Sequence, residues 1–182
     1  DIVIKQYPTG SAHVGHIRTL LQELKIKKNF IPDIICVDYI NIMASSRVSL
    51  SNTGSYFYIK AIAEEMRGLA IETNTVMWTA TQVNRGGMGD TDVDMTSTSE
   101  SFALPATLDF MVAIIRSEEL DELGQLLVKQ LKSRYGNKNY YEKFLIGVDV
   151  EKMYLFDIED DAQILENKKP TVDKKSKFEG FK

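Results

Sequence analysis

Ile34-Ile35-Cys36-Val37-Asp38 decides how this chain is read. Four apolar residues, three of them β-branched, follow Pro32 and Asp33 and stop at a carboxylate. That is the pattern of a short strand buried on both faces of a parallel sheet. Upstream, Pro8-Thr9-Gly10-Ser11 marks a turn and a helix start. Val14, Ile17, Leu20, Leu21 and Leu24 then recur at spacings of three and four, which predicts an amphipathic helix to about residue 28 with His13, His16, Arg18 and Glu23 off its apolar face. Downstream, after a polar stretch at 45–55, a second helix is expected with Asn52 or Thr53 as its cap and Ile59, Ile62, Ala63, Met66 and Leu69 on one side as far as Ile71. Thr75-Val76-Met77-Trp78-Thr79-Ala80 reads as the next buried strand, and the alternation in residues 1–6 as one before the first helix. Strand, helix, strand, helix, strand is how an α/β fold with a mostly parallel sheet is written. Residues 109–116 and 126–132 add two strands, Gly136-Asn137-Lys138-Asn139 a hairpin turn, and 144–148 and 153–156 an antiparallel end.

With 182 residues, 43 % hydrophobic and 26 % charged, the composition is that of a globular domain, which excludes collagen-like, coiled-coil or wholly disordered architectures. The single Cys removes any intramolecular disulfide, and Cys36 in its apolar run is expected to be buried, as in a reducing, cytoplasmic protein. No stretch has the length and apolarity of a membrane span, and the first residues lack the pattern of a signal peptide. A net charge of −4 argues against a surface that coats nucleic acid as a whole but leaves room for a local basic site. Residues 163–182 hold six Lys against Glu166, Asp173 and Glu179, with Pro170 and no hydrophobic period. They read as a basic, disordered tail. The expected organisation is therefore one domain over 1–160 and a tail over 161–182.

Three groups offer chemistry. Asp38 ends a buried strand, where nucleotide hydrolases hold Mg2+ or its water; the plainer reading is a turn cap. Gln82 lies just past the next strand, in the crevice where open α/β sheets bind ligands, and a neutral amide there orients water and senses a terminal phosphate. Lys132 and Arg134 share one face of a strand and form either a phosphate clamp or the charged guard of an edge strand. His13 and His16 have no third ligand placed by sequence and read as exposed helix residues. Asp90, Asp92 and Asp94 imitate the start of a calcium loop, but Met95 and Ser101 stand where Gly and Glu are needed. No glycine is followed by Lys, so the phosphate-cradling G-x-x-x-x-G-K-[ST] loop is absent from the sequence.

Taken in order and spacing, these groups resemble the RecA-like motor domain of the DnaB family of hexameric replicative DNA helicases, its T-even-like bacteriophage branch above all. Ile34-Ile35-Cys36-Val37-Asp38-Tyr39-Ile40-Asn41-Ile42-Met43 resembles the Walker B motif. Glu65-Met66-Arg67-Gly68-Leu69-Ala70 and Thr81-Gln82-Val83-Asn84-Arg85 resemble the third motif with its phosphate-sensing Gln, and residues 129–137 the fourth. The resemblance covers roughly residues 1–157.

That resemblance implies a RecA-like fold and an ATP-dependent helicase that works in the primosome at the replication fork. ATP and Mg2+ would be the cofactors, with Asp38 holding the metal through water, Gln82 sensing the γ-phosphate, Lys132 acting as a piston-like sensor and Arg134 as the finger reaching into a neighbour's nucleotide. Single-stranded DNA would meet Arg85, Gly86, Gly87, Ser97, Thr98, Ser99 and Glu100, although Ser99 and Phe102 depart from the residues of the cellular enzymes. A hexameric ring, a primase and a helicase loader are the implied partners, in the host bacterial cytoplasm and away from membranes. The family carries its P-loop and catalytic Glu upstream, so this piece alone is expected to be inactive and to leave an unpaired sheet edge or gap. A RecA-like recombinase or clock-type ATPase, and a non-catalytic interaction module, remain the alternatives.

Overall fold

The computed structural model describes residues 1–82, 103–137 and 142–158. Its elements are α1 (Val14–Lys28), β1 (Ile34–Val37), a 3-10 turn (Ile40–Ile42), α2 (Leu50–Thr73), β2 (Val76–Thr79), α3 (Ala103–Thr107), β3 (Phe110–Ile115), α4 (Glu118–Glu122), β4 (Gln125–Ser133), β5 (Lys143–Asp149) and β6 (Tyr154–Phe156). β1 and β2 pair in parallel with Ile34 opposite Val76 and Val37 opposite Thr79. The later strands form a second sheet in the order β3-β4-β5-β6, antiparallel from β4 to β5 and from β5 to β6. The expected α/β class with an antiparallel carboxyl-terminal end holds, with the antiparallel strands in a sheet of their own.

Two compact units are present. The first comprises the described residues of Asp1–Met111 with Leu131–Gly136. Its core joins Val14 and Ile17 of α1, Ile40 and Met43 after β1, Ile59, Ile62, Ala63, Met66 and Leu69 of α2, and Leu104 of α3, with Ile35, Val37 and Met77 packed against them. The spacing that predicted the α2 face therefore named its buried residues. In the second unit, Val112–Gln130 and the described residues from Asn137 on, the buried apolar side chains are Ala113, Ile115, Leu127, Val128 and Leu145.

The helix ends explain several residues the periodicity left aside. His13 is the N-cap of α1: its Nδ1 accepts from the Gly15 amide at 3.0 Å, while His16 Nδ1 accepts from the His13 amide at 3.2 Å. This reciprocal box satisfies two amides that have no carbonyl partner in the first turn. A Cβ on Gly15 would lie 2.7 Å from the His13 ring, so the cap requires glycine there. The pair is thus structural, as expected of histidines without a third ligand.

Four expectations are corrected. Residues 1–6 form no strand, and Ile2 and Ile4 are 87 % and 89 % exposed, because nothing among the described residues pairs with that backbone or covers its side chains. α2 is capped at Ser49 rather than at Asn52 or Thr53; the Thr53 hydroxyl instead donates back to the Ser49 carbonyl at 2.7 Å. β1 is not buried on both faces: Ile35 and Val37 meet the core, while Ile34 on the opposite face is 57 % exposed. For the same reason Cys36, which shares the face of Ile34, is exposed rather than buried. The expected hairpin turn is described only as far as Asn137, and the basic stretch at 163–182 lies outside the described residues.

Candidate active site

The carboxyl ends of β1 and β2 are tied together by side chains and backbone. Thr79 Oγ1 donates to the Val37 carbonyl at 2.9 Å, the Ile40 amide to the Ala80 carbonyl at 3.2 Å, and Thr81 Oγ1 to Asn41 Oδ1 at 2.9 Å. Asp38 and Gln82 leave the sheet at this shared end, and both are exposed. Sequence reasoning thus placed these two residues on the same end of one parallel pair, where α/β sheets collect their ligands.

The loop after Asp38 is held to α2 by Glu65. Its carboxylate accepts from Ser45 Oγ at 2.5 Å, from the Ser46 amide at 2.9 Å and from Ser46 Oγ at 2.5 Å. Arg47 adds an ion pair at 3.5 Å to Glu65 and another at 2.9 Å to Glu64. The Tyr58 hydroxyl accepts from the Ser45 amide at 3.1 Å. A stretch that read only as polar is therefore anchored at several points.

Lys132 and Arg134 lie apart from that strand-end pair and make their contacts with a third segment. Lys132 Nζ donates to the Pro105 carbonyl at 2.6 Å, Arg134 Nη2 to the Ala106 carbonyl at 3.4 Å, and Arg67 Nη1 to the Thr107 carbonyl at 3.0 Å. These are successive carbonyls at the end of α3, groups that have no partner inside a helix and carry the negative end of its dipole. Asp109 completes the cluster: its Oδ2 accepts from Arg67 Nη1 at 2.7 Å, and its Oδ1 faces Arg134 Nη1 at 2.8 Å as an ion pair without an aligned hydrogen bond. The hydrogen bond from Arg67, helped by the charges of Arg67, Arg134 and Lys132, keeps the Asp109 carboxyl below the usual carboxylate range. Burial, with the positive charge of Arg134, pulls the Lys132 ammonium below its ordinary value. Three cations around one carboxylate leave positive charge in excess, which suits the group to an anion.

Sequence reasoning named Lys132 and Arg134 but missed Asp109 and gave Arg67 no role. The only local signal was a carboxylate heading a strand, and its partner Arg67 stands 42 residues away. Arg85, Gly86, Gly87, Ser97, Thr98, Ser99 and Glu100 lie outside the described residues, as do Asp90, Asp92 and Asp94. No cluster of three or more His, Cys, Asp or Glu that could hold a metal is found among the described residues. No helix among them is long and apolar enough to cross a membrane.

No family model matches the sequence. A DnaB-like replicative helicase of Enterobacteria phage T4 is 51 % identical over 161 residues, which is 88 % of this chain and 34 % of that protein. The chain thus spans about a third of the length of that curated relative. Among solved structures, a DnaB-like replicative helicase studied with its interactions with primase superposes with a TM-score of 0.67 at 18 % identity, over 81 % of this chain and 35 % of that one. A second solved structure, of an isolated ATPase domain, superposes with a TM-score of 0.65 at 18 % identity, over 81 % of this chain and 52 % of that one. Over the matched stretch, then, the chain is a relative of the DnaB-like replicative helicases and carries the fold of their ATPase domain.

Proposed function

We propose that this chain is part of the ATP-driven motor of a ring-shaped replicative DNA helicase that unwinds duplex DNA at the replication fork. The observation that carries the proposal is the 51 % identity to a replicative helicase over 88 % of the chain. The phosphate-cradling loop that the sequence lacks would come from elsewhere in a longer protein, as the greater length of the relative allows.

The residues fit ATP and Mg2+. Asp38 supplies one solvent-facing carboxylate at the strand ends, which suits a hard cation that keeps most of its waters and takes its remaining oxygens from phosphates. When bound, the metal would neutralise charge on the transferring phosphoryl group. Gln82 at the same end of the sheet offers an amide to orient water near the terminal phosphate. Lys132 and Arg134 would act on the nucleotide of a neighbouring subunit, Arg134 through the planar fork of donors that matches a phosphate. Single-stranded DNA would run past residues 85–100. A hexameric ring, a primase and a loader are the partners this function calls for.

The test is ATP hydrolysis by the full-length protein that contains this segment, with and without single-stranded DNA, beside the 182-residue chain alone. DNA-stimulated turnover is expected only in the longer protein. Arg134→Ala there should lower turnover by about 10³ or more while nucleotide binding persists, since that is the scale of an arginine finger. Near-normal turnover in that variant would remove Arg134 from the role, and hydrolysis by the short chain would place the phosphate site elsewhere.

A further inference from the structure

We infer that Asp109, fixed by Arg67, is a positioning residue for Arg134: it holds the finger guanidinium in place through one carboxylate oxygen while leaving its fork open to a phosphate. The inference rests on the finger role proposed above for Arg134 and adds a device that sets its geometry.

An Arg side chain free to explore its rotamers carries about 2 kcal/mol of entropy that a reacting geometry must remove. A carboxylate that took the guanidinium with both oxygens would remove it, but would also occupy the two parallel donors that a phosphate needs. The cluster avoids that outcome. Arg67 donates from one nitrogen to Asp109 Oδ2 at 2.7 Å and to the Thr107 carbonyl at 3.0 Å, which orients the carboxylate and takes one of its oxygens. Only Oδ1 is left for Arg134, at 2.8 Å and without an aligned hydrogen bond. The second contact of the Arg134 side chain, 3.4 Å to the Ala106 carbonyl, is at the long end of hydrogen bonding. By contrast, the Arg134 backbone is firmly seated, its amide donating to the Asp109 carbonyl at 2.8 Å. The base of the side chain is thus fixed and its tip is lightly held beside a negative charge. The part of Arg67 in this arrangement is to keep Asp109 from closing on Arg134 with both oxygens.

The experiment measures steady-state and single-turnover ATP hydrolysis by the full-length protein carrying Asp109→Asn, Arg134→Ala, or both. Asp109→Asn keeps the shape and one acceptor but removes the charge, and it should lower kcat about tenfold with KM within about twofold, the scale of a misplaced reacting group and of coupled neighbours. In the Arg134→Ala background the same substitution should change the residual rate by less than about twofold, because the group it positions is gone. Arg67→Lys, which keeps the charge and loses the fork, should reproduce the fall in kcat and add little to Asp109→Asn. An equal fall in both backgrounds would mean that Asp109 merely supports the fold and would overturn the inference, as would unchanged kcat in Asp109→Asn. Normal turnover in Arg134→Ala would instead strike at the finger role itself, and the positioning role would go with it.

Discussion

Glu65 presents only 6 % of its side chain to solvent and yet keeps its charge. Burial alone would push its carboxyl up, but the hydrogen bonds from Ser45 and Ser46 and the charge of Arg47 outweigh that cost and hold it below the ordinary carboxylate range. A carboxylate depressed in the folded state stabilises the protein above its unfolded value of about 4.3, and that contribution is lost as pH falls through the lower folded value. Glu65→Ala should therefore cost about 2 kcal/mol near neutral pH, by stranding the hydroxyl and amide donors it serves. The variant should also lose less stability than the parent between about pH 5 and more acidic conditions; thermal unfolding across that range checks both. Asp38 and Gln82 were legible because their position follows from strand ends, a local pattern. Glu65 and Asp109 were not, since their partners stand 20 and 42 residues away and no short-range pattern encodes a tertiary contact.

Among the elements, α2 divides at Gly54, whose φ of 72° and ψ of 160° lie where only glycine rests without strain. The turn from Ser49 to Thr53 is thereby set off from the long helix that carries the core. A Cβ at position 54 would meet nothing within 4 Å, so backbone strain is the whole cost of Gly54→Ala. That substitution should destabilise the protein by about 1–3 kcal/mol, read as a lower unfolding midpoint; an unchanged midpoint would show that the turn re-forms as continuous helix without penalty. The apolar spacing foretold the α2 face because five residues of that face, Ile59 to Leu69, repeat over several turns. It could not foretell α3 or α4, five residues each, since so short a helix has no period to read.

Across the whole molecule the sheet of β1 and β2 has one covered and one open side. Ile35, Val37 and Met77 pack into the core, while Trp78 on β2 remains 46 % exposed and meets Phe110 edge to face at 6.0 Å. The reading of β1 as doubly buried followed from its composition, which describes what such a strand prefers and not which neighbours are present. Trp78 is the sole tryptophan, so its fluorescence reports this surface directly. Acrylamide should quench it readily in the 182-residue chain and several-fold less in the full-length protein, where further strands and helices are expected over that side; equal quenching would show the side open there too. The cluster at the end of α3 also ties distant parts together, since Arg67 comes from α2 and Lys132 and Arg134 from the end of β4. A five-residue helix is too short to persist by its own hydrogen bonds, so α3 endures because Leu104 is buried and three cations neutralise its last carbonyls. Any anion that draws one of those cations away therefore lowers the free energy of opening α3, and the rate at which its amides exchange with deuterium becomes a clock for the state of the charge cluster.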